Sequence, residues 1–105
     1  MLLDKVFNPR AVNIDLKSED KDEVFEELIE ELVSVNPSLD RSVALAAVKE
    51  REAKMSTGIM SGIAVPHAKT SAVTDVQGAI GISRSGIDYD ALDGKPVHLI
   101  VLILS

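Results

Sequence analysis

The 105-residue chain contains no cysteine and no tryptophan, and only one tyrosine and two phenylalanines. Without cysteine there is no disulfide, no thiolate zinc site and no thiol nucleophile, a usage that fits a reducing compartment. So few aromatics leave little surface on which nucleobases could stack. Positive charge is scarce as well: 11 Lys and Arg stand against 17 Asp and Glu, a net charge of −6. A nucleic-acid backbone calls for a basic footprint, so the balance argues against such a partner. No apolar run approaches the roughly 18 residues of a membrane span, and the opening MLLDKVFNPR does not read as a secretion signal. What is present is an ordinary globular balance, 46% hydrophobic and 27% charged. That length accommodates one small domain with one core.

The acidic excess is local. Glu19, Asp20, Asp22, Glu23, Glu26, Glu27, Glu30 and Glu31 surround a single Lys21, which on charge alone reads as a solvated helix face. Val24, Phe25, Leu28, Ile29, Leu32 and Val33 recur at helical spacing. Ser18 or Asp20 can cap the start, and Asn36-Pro37 stops the helix. Upstream, Val12, Ile14 and Leu16 alternate with Asn13 and Asp15, which predicts a half-buried strand. A second helix is expected over residues 38–53, with Leu39, Val43, Ala46, Ala47 and Glu50 marking its faces. A loop of small residues follows at 56–62, then a short apolar run at 62–65 and Pro66-His67. Residues 76–83 read as a strand whose Gly78 and Gly81 suggest close backbone approach or a bulge. Ser85-Gly86 and Asp93-Gly94 are turn signals. The nearly continuous apolar run 97–104 reads as a strand buried on both faces. The order β-α-α-β-β-β predicts an α/β domain, a mixed sheet flanked by helices.

Two histidines are available for chemistry. His98 lies inside the apolar run, where a structural role in the sheet is expected. His67 follows Pro66, whose ring stiffens the backbone at the point where a strand opens into a loop. Imidazole is a competent nucleophile near neutral pH; the bland alternative is an ordinary loop histidine. Ser56, Thr57 and Gly58 could bring N–H groups and hydroxyls to an anion, as phosphate cradles do. Arg51, near the end of the second helix, could clamp phosphoryl oxygens or simply complement the helix end, with Glu50 or Glu52 as its partner. No GxxxxGK[ST] or GxGxxG pattern is present, so nucleotide binding is unsupported. Nothing in the spacing recommends a metal site built from His67, His98 and Asp75 or Asp88.

The stretch Arg51-Glu52-Ala53-Lys54-Met55-Ser56-Thr57-Gly58-Ile59-Met60-Ser61-Gly62-Ile63-Ala64-Val65-Pro66-His67-Ala68 closely resembles the signature of the EIIA domains of the bacterial phosphoenolpyruvate:sugar phosphotransferase system. The likeness is to the fructose/mannitol class, type 2, which includes the nitrogen-regulatory EIIA proteins. It continues through Gly86-Ile87-Asp88-Tyr89 and Leu92-Asp93-Gly94-Lys95-Pro96-Val97 and covers essentially residues 1–105 as one domain. The resemblance implies the mannitol-EIIA-like fold and a cytoplasmic phosphocarrier without metal or other cofactor. By the same resemblance His67 takes phosphoryl from the phosphohistidine of HPr and passes it to a cysteine of an EIIB domain, and Arg51 belongs to the active site. Domains of this family continue through further C-terminal elements that carry a second active-site histidine, and His98 does not align with it. The resemblance therefore implies a domain incomplete at its C-terminus, with a terminal strand short of cover and prone to self-association. Three functional readings stand: a sugar-transport EIIA, a nitrogen-regulatory EIIA acting through phosphorylation-dependent binding, and a truncated inactive module. Ala68-Lys69-Thr70 and the segment from Asp88 to Pro96 favour the fructose type.

Overall fold

A computed structural model describes residues 3–58 and 61–105; Ile59 and Met60 of the small-residue loop lie outside the described residues. Helix α1 (Leu3–Val6) leads into β1 (Phe7–Asn13), followed by α2 (Lys21–Val35) and α3 (Arg41–Lys54). Two short strands, β2 (Ile63–Ala64) and β3 (His67–Ala68), precede the long β4 (Gln77–Ile87) and β5 (Val97–Leu104). The five strands form one mixed sheet in the order β1-β4-β5-β2, with β3 also on β5. Only β4 and β5 pair antiparallel. The expected fold class, a mixed sheet with packed helices, is the observed one.

Helix α2 begins and ends where its signals lie. The Asp20 carboxylate accepts the Glu23 N–H at 2.9 Å, and the Asn36 N–H donates to the Leu32 carbonyl. Val24, Phe25, Leu28, Ile29 and Leu32 form its buried stripe, each side chain contributing about 1.5–3 kcal/mol on full burial. Its acidic face is more than a solvated surface. The Glu27 carboxylate accepts the Lys17 and Ser18 N–H groups, the Ser18 hydroxyl and the Asn13 amide, so it ties the β1–α2 connection to the helix. Ser18 is thereby a ligand of Glu27 and not the cap.

Helix α3 starts later than expected because Asp40 caps it, accepting the Ser42 and Val43 N–H groups. Its buried stripe is Ala44, Val48 and Glu52, while Val43 is 40% exposed. Strand β1 also departs from the alternation in sequence. It spans Phe7–Asn13, buries Ala11, and turns Val12 and Ile14 outward. Asn13 faces the helices because its amide donates to Glu27 and Glu31 of α2. Leu16 is buried beyond the strand, its N–H on the Ile82 carbonyl and its side chain over Gly81, where a methyl group would lie 2.6 Å from Leu16 Cδ1.

Strand β4 runs through Ser85-Gly86 instead of turning there. A register shift between Ile82 and Ile87 places Gly86 at φ +92°, and its N–H donates to Ser83 Oγ. Asp93-Gly94 is the expected turn, with Gly94 at φ +71° and its N–H on the Ala91 carbonyl. Strand β5 has the predicted bounds but one covered face. Ile100, Leu102 and Leu104 are fully buried under α2 and α3, whereas Leu99, Val101 and Ile103 are half-buried. The register places Ile82 beside Leu99 and Ile80 beside Val101, so these residues share the less buried side of the sheet, opposite Ile100 and Leu102.

Candidate functional site

Strands β2 and β3 form a single edge interrupted by Val65-Pro66, since Pro66 has no N–H for the ladder. Hydrogen bonds hold the interruption in place. Val65 N–H donates to the Thr57 carbonyl at 3.2 Å, and the Pro66 carbonyl accepts the Ile103 N–H at 3.0 Å. His67 comes next, exposed, paired in register with Ile103. Its Nδ1 lies 2.9 Å from the Val65 carbonyl oxygen. A carbonyl oxygen can only accept, so Nδ1 carries the hydrogen and the neutral ring bears its lone pair on Nε2.

A cleft of about 410 Å³ between α3 and β3 is lined by Ala47, Glu50, Arg51, Lys54, His67 and Lys69, with Ala68 at its base. The structure thus brings Arg51 and His67 to one cleft, with two lysines beside them. One Arg51 N–H donates to the Met55 carbonyl at 3.1 Å, which fixes the guanidinium at the helix end and leaves further donors on its fork. The helix-end reading of Arg51 is thus met through the Met55 carbonyl. Among the described residues no ion pair joins Arg51 to Glu50 or Glu52, and the Glu52 carboxylate is engaged elsewhere.

The proposed anion loop is arranged differently from the sequence expectation. Thr57 is buried, and its N–H and hydroxyl both donate to Glu52, at 2.9 and 2.7 Å. The Gly58 N–H donates to Ser56 Oγ, and Gly58 packs so tightly against Tyr89 and Ala91 that a methyl group would lie 2.9 Å from each. Ser56 lines a separate cleft with Lys21, Lys49 and Asp90. The Thr57 donors and the Gly58 N–H are thus used within the protein, and Ser56 lines a different cleft from His67, so the three do not form the expected cradle beside it. His98 is exposed on β5, and its Nδ1 lies 2.8 Å from the Ser83 carbonyl, a tie to the β4 bulge. Among the described residues no group of three or more His, Asp or Glu is placed to hold a metal ion.

Sequence reasoning missed the role of Glu52. Its carboxylate is 6% exposed and receives, besides Thr57, the Lys21 ammonium at 3.1 Å and the Tyr89 hydroxyl at 3.3 Å. Lys21 also lies 4.8 Å from the centre of the Tyr89 ring. Burial pushes the Glu52 pKa up, but hydrogen bonds from the Thr57 hydroxyl and N–H and from Lys21 outweigh it and hold the group below the ordinary carboxylate range. Burial drives the Tyr89 phenol well above its usual pKa, with the Glu52 charge adding to the shift, so it remains a neutral donor. A signal existed. Glu52 falls four residues after Val48 and eight after Ala44, on the stripe that faces the core.

Residues 5–105 match the family model described as "Phosphoenolpyruvate-dependent sugar phosphotransferase system, EIIA 2". The chain belongs to that family. It is 36% identical over 103 residues to the fructose-specific EIIABC component of Bacillus subtilis, covering 98% of this chain and 16% of that protein. It is 43% identical over 84 residues to the fructose-specific EIIA component of Haloferax volcanii, covering 80% of this chain and 54% of the relative. The chain therefore spans about half or less of the length of these relatives. Among solved structures, the nitrogen regulatory protein IIA-Ntr from Neisseria meningitidis superposes with a TM-score of 0.89 at 31% identity, covering 99% of this chain and 70% of that one. The mannitol enzyme IIA from Escherichia coli, solved in complex with phosphorylated mannitol enzyme IIB, matches with a TM-score of 0.77 at 18% identity, over 93% and 70% of the two chains. Among the described residues no helix of this EIIA chain is long and apolar enough to cross a membrane.

Proposed function

We propose that this chain is a phosphocarrier of the sugar phosphotransferase system, with His67 as its phosphorylation site. The carrying observation is the Nδ1 contact with the Val65 carbonyl, which leaves Nε2 as the nucleophile of a residue that shares a cleft with Arg51. The Nε2 lone pair attacks phosphorus of phospho-HPr, and the donor's phosphorus–nitrogen bond breaks as the new one forms. A cysteine thiolate of an EIIB domain then attacks the same phosphorus, and the bond to Nε2 breaks. Such in-line transfer asks the protein mainly for positioning and charge stabilisation. Nδ1 keeps its hydrogen throughout, so the contact with Val65 survives in the phosphorylated state. Arg51 supplies planar donors to the phosphoryl oxygens, and Lys54 and Lys69 add positive potential.

The fructose-specific relatives support a role in fructose-type sugar uptake, and the solved IIA–IIB complex of the mannitol system supports an EIIB partner. The reaction needs no cofactor and belongs in the cytoplasm, where phosphoenolpyruvate is at hand. A second reading, regulation through phosphorylation-dependent protein binding, is favoured by the likeness to IIA-Ntr. Incubation with phosphoenolpyruvate, enzyme I and HPr should label His67; failure to label would identify an inactive module and overturn both readings. Discharge of the label by an EIIB thiol selects transport over regulation.

In this reading residues 1–105 are the phosphoryl-accepting part of an EIIA domain, and the open sheet side around Ile82, Leu99 and Val101 pairs with a second copy. Sedimentation of the 105-residue chain should show concentration-dependent association, relieved by Val101→Lys. A monomer at all concentrations would remove that element.

A further inference from the structure

Three hydrogen bonds link the buried carboxylate of Glu52 to the imidazole of His67. Glu52 Oε2 accepts the Thr57 N–H at 2.9 Å. The carbonyl of the same Thr57 accepts the Val65 N–H at 3.2 Å. The carbonyl of the same Val65 accepts His67 Nδ1–H at 2.9 Å. We propose that Glu52 is a positioning residue for His67: through Thr57 and Val65 it holds the carbonyl that selects the Nδ1–H tautomer and so presents Nε2 to the phosphoryl group. The inference rests on the reading of His67 as phosphoryl acceptor.

Each link is stiff for a stated reason. Bonds to an ionised carboxylate are stronger than neutral ones, and Glu52 binds Thr57 twice, through its N–H and its hydroxyl. The charge is buried and compensated by Lys21 at 3.1 Å. Gly58 lets the loop lie against Tyr89 and Ala91, where a Cβ would come within 2.9 Å of both and the loop or its neighbours would have to shift. Val65 precedes Pro66, which restricts its backbone to the extended region and limits where its carbonyl can point. Glu52 sits one residue after Arg51, so the last turn of α3 carries the phosphoryl clamp on one face and the anchor of the tautomer on the other.

Residues 56–58 form no strand pairing of their own. The Glu52 carboxylate positions them together with the Tyr89 hydroxyl on the Thr57 hydroxyl and the Leu92 N–H on the Gly58 carbonyl. An imidazole without a fixed acceptor at Nδ1 exchanges between tautomers, and only one of them offers Nε2 as nucleophile. Removing the hydrogen-bond partner that orients a metal-ligating histidine commonly costs about 10–100-fold, and the same orienting logic sets the scale here.

The test is imidazole nitrogen NMR on the 105-residue protein, joined to the rate of phosphoryl acceptance from phospho-HPr. In the wild type the His67 resonances should report hydrogen on Nδ1. Glu52→Gln should shift them towards a mixture and slow acceptance about tenfold. Ile29→Val, a mild loss of core packing in α2, should lower the thermal midpoint and leave tautomer and rate unchanged. If Glu52→Gln does not fold, Thr57→Val, which keeps the N–H and deletes the hydroxyl, should give the same changes at smaller size. A folded variant of Glu52 or Thr57 with the wild-type tautomer and rate would overturn the proposal and leave Glu52 as a structural ion. The tautomer readout needs no phosphoryl group, so failure of His67 as acceptor would be seen separately, as equal labelling of the wild type and His67→Ala.

Discussion

His67 and His98 each give Nδ1 to a backbone carbonyl, at 2.9 Å to Val65 and 2.8 Å to Ser83. Their surroundings differ at the other nitrogen. His67 stands at the sheet edge, on a two-residue strand, and opens to a cleft with Arg51, Lys54 and Lys69. His98 stands on the central strand β5, and the far side of its ring lies against Gly86, where a methyl group would come within 3.3 Å of Nε2. A fixed tautomer is therefore common to both, and it does not by itself make a reactive site. Both side chains are exposed, so it is the cleft with its cations, not access alone, that separates a nucleophile from a structural histidine, and that cleft follows from where each strand lies in the sheet.

The largest expected effect breaks this comparison outright. His67→Ala should abolish acid-labile phosphate from phospho-HPr, while His98→Ala should retain it. Equal labelling of wild type and His67→Ala would end the assignment. Next comes the cation. Arg51→Lys keeps the charge and loses the planar fork, so transfer should slow by the equivalent of about 2–4 kcal/mol, by analogy with single donors at other charge-stabilising sites. The alternative, that Arg51 serves only the α3 end through Met55, predicts a small stability change and normal transfer. Measured transfer rates and thermal midpoints of the same variant separate the two.

Local signals carry far in this chain. The apolar run of β5 and the Asp20 cap of α2 give both elements their bounds, because each depends on neighbours in sequence. Pro66-His67 is legible for the same reason: the stiff entry to the histidine is a property of two adjacent residues. What is not legible is which side of β5 receives cover. Its uninterrupted apolar run reads as burial on both faces, yet only the side of Ile100, Leu102 and Leu104 is fully buried. Glu52 was hidden in another way. Beside Arg51 it reads as an ion-pair partner, but its ligands include Tyr89, 37 residues along the chain. Buried polar partners are chosen by the fold, and only the helical stripe of Ala44, Val48 and Glu52 hinted at it. Thr57 went with Glu52, since a hydroxyl in a small-residue loop is as ready to satisfy a carboxylate as a phosphate.

The carboxylate also divides the two histidines by pH. The Val65 carbonyl is held through a titratable group, whereas the Ser83 carbonyl lies in the β4 bulge, where Ser83 Oγ accepts the Gly86 N–H. Because the Glu52 pKa is depressed in the folded protein, its contribution to stability is present above the unfolded value, about 4.3, and is lost as pH falls through the folded value. The stability difference between wild type and Glu52→Gln should therefore be full at neutral pH and shrink below about pH 4. Urea unfolding of both proteins across that range checks it. A difference independent of pH would show that the glutamine amide fails through geometry, with no part played by charge.

The smallest expected effect belongs to His98, and it sharpens the comparison most. Its imidazole makes one hydrogen bond to the strand beside it, and the β4–β5 ladder continues on its C-terminal side through Leu99, Ile100, Val101 and Leu102. Losing that bond in His98→Ala should cost about 0.5–1.5 kcal/mol, the usual net value of a single hydrogen bond. The Ser83–Gly86 bulge should loosen locally, read as faster amide exchange at Gly86, whose N–H donates to Ser83 Oγ. Phosphoryl acceptance at His67 should stay at the wild-type rate, because no residue of the Glu52–Thr57–Val65 chain is bonded to His98. A folded His98→Ala protein with slowed transfer would connect the central strand to the edge site. The two imidazoles would then be parts of one functional unit, with the shared Nδ1 tether as its common device.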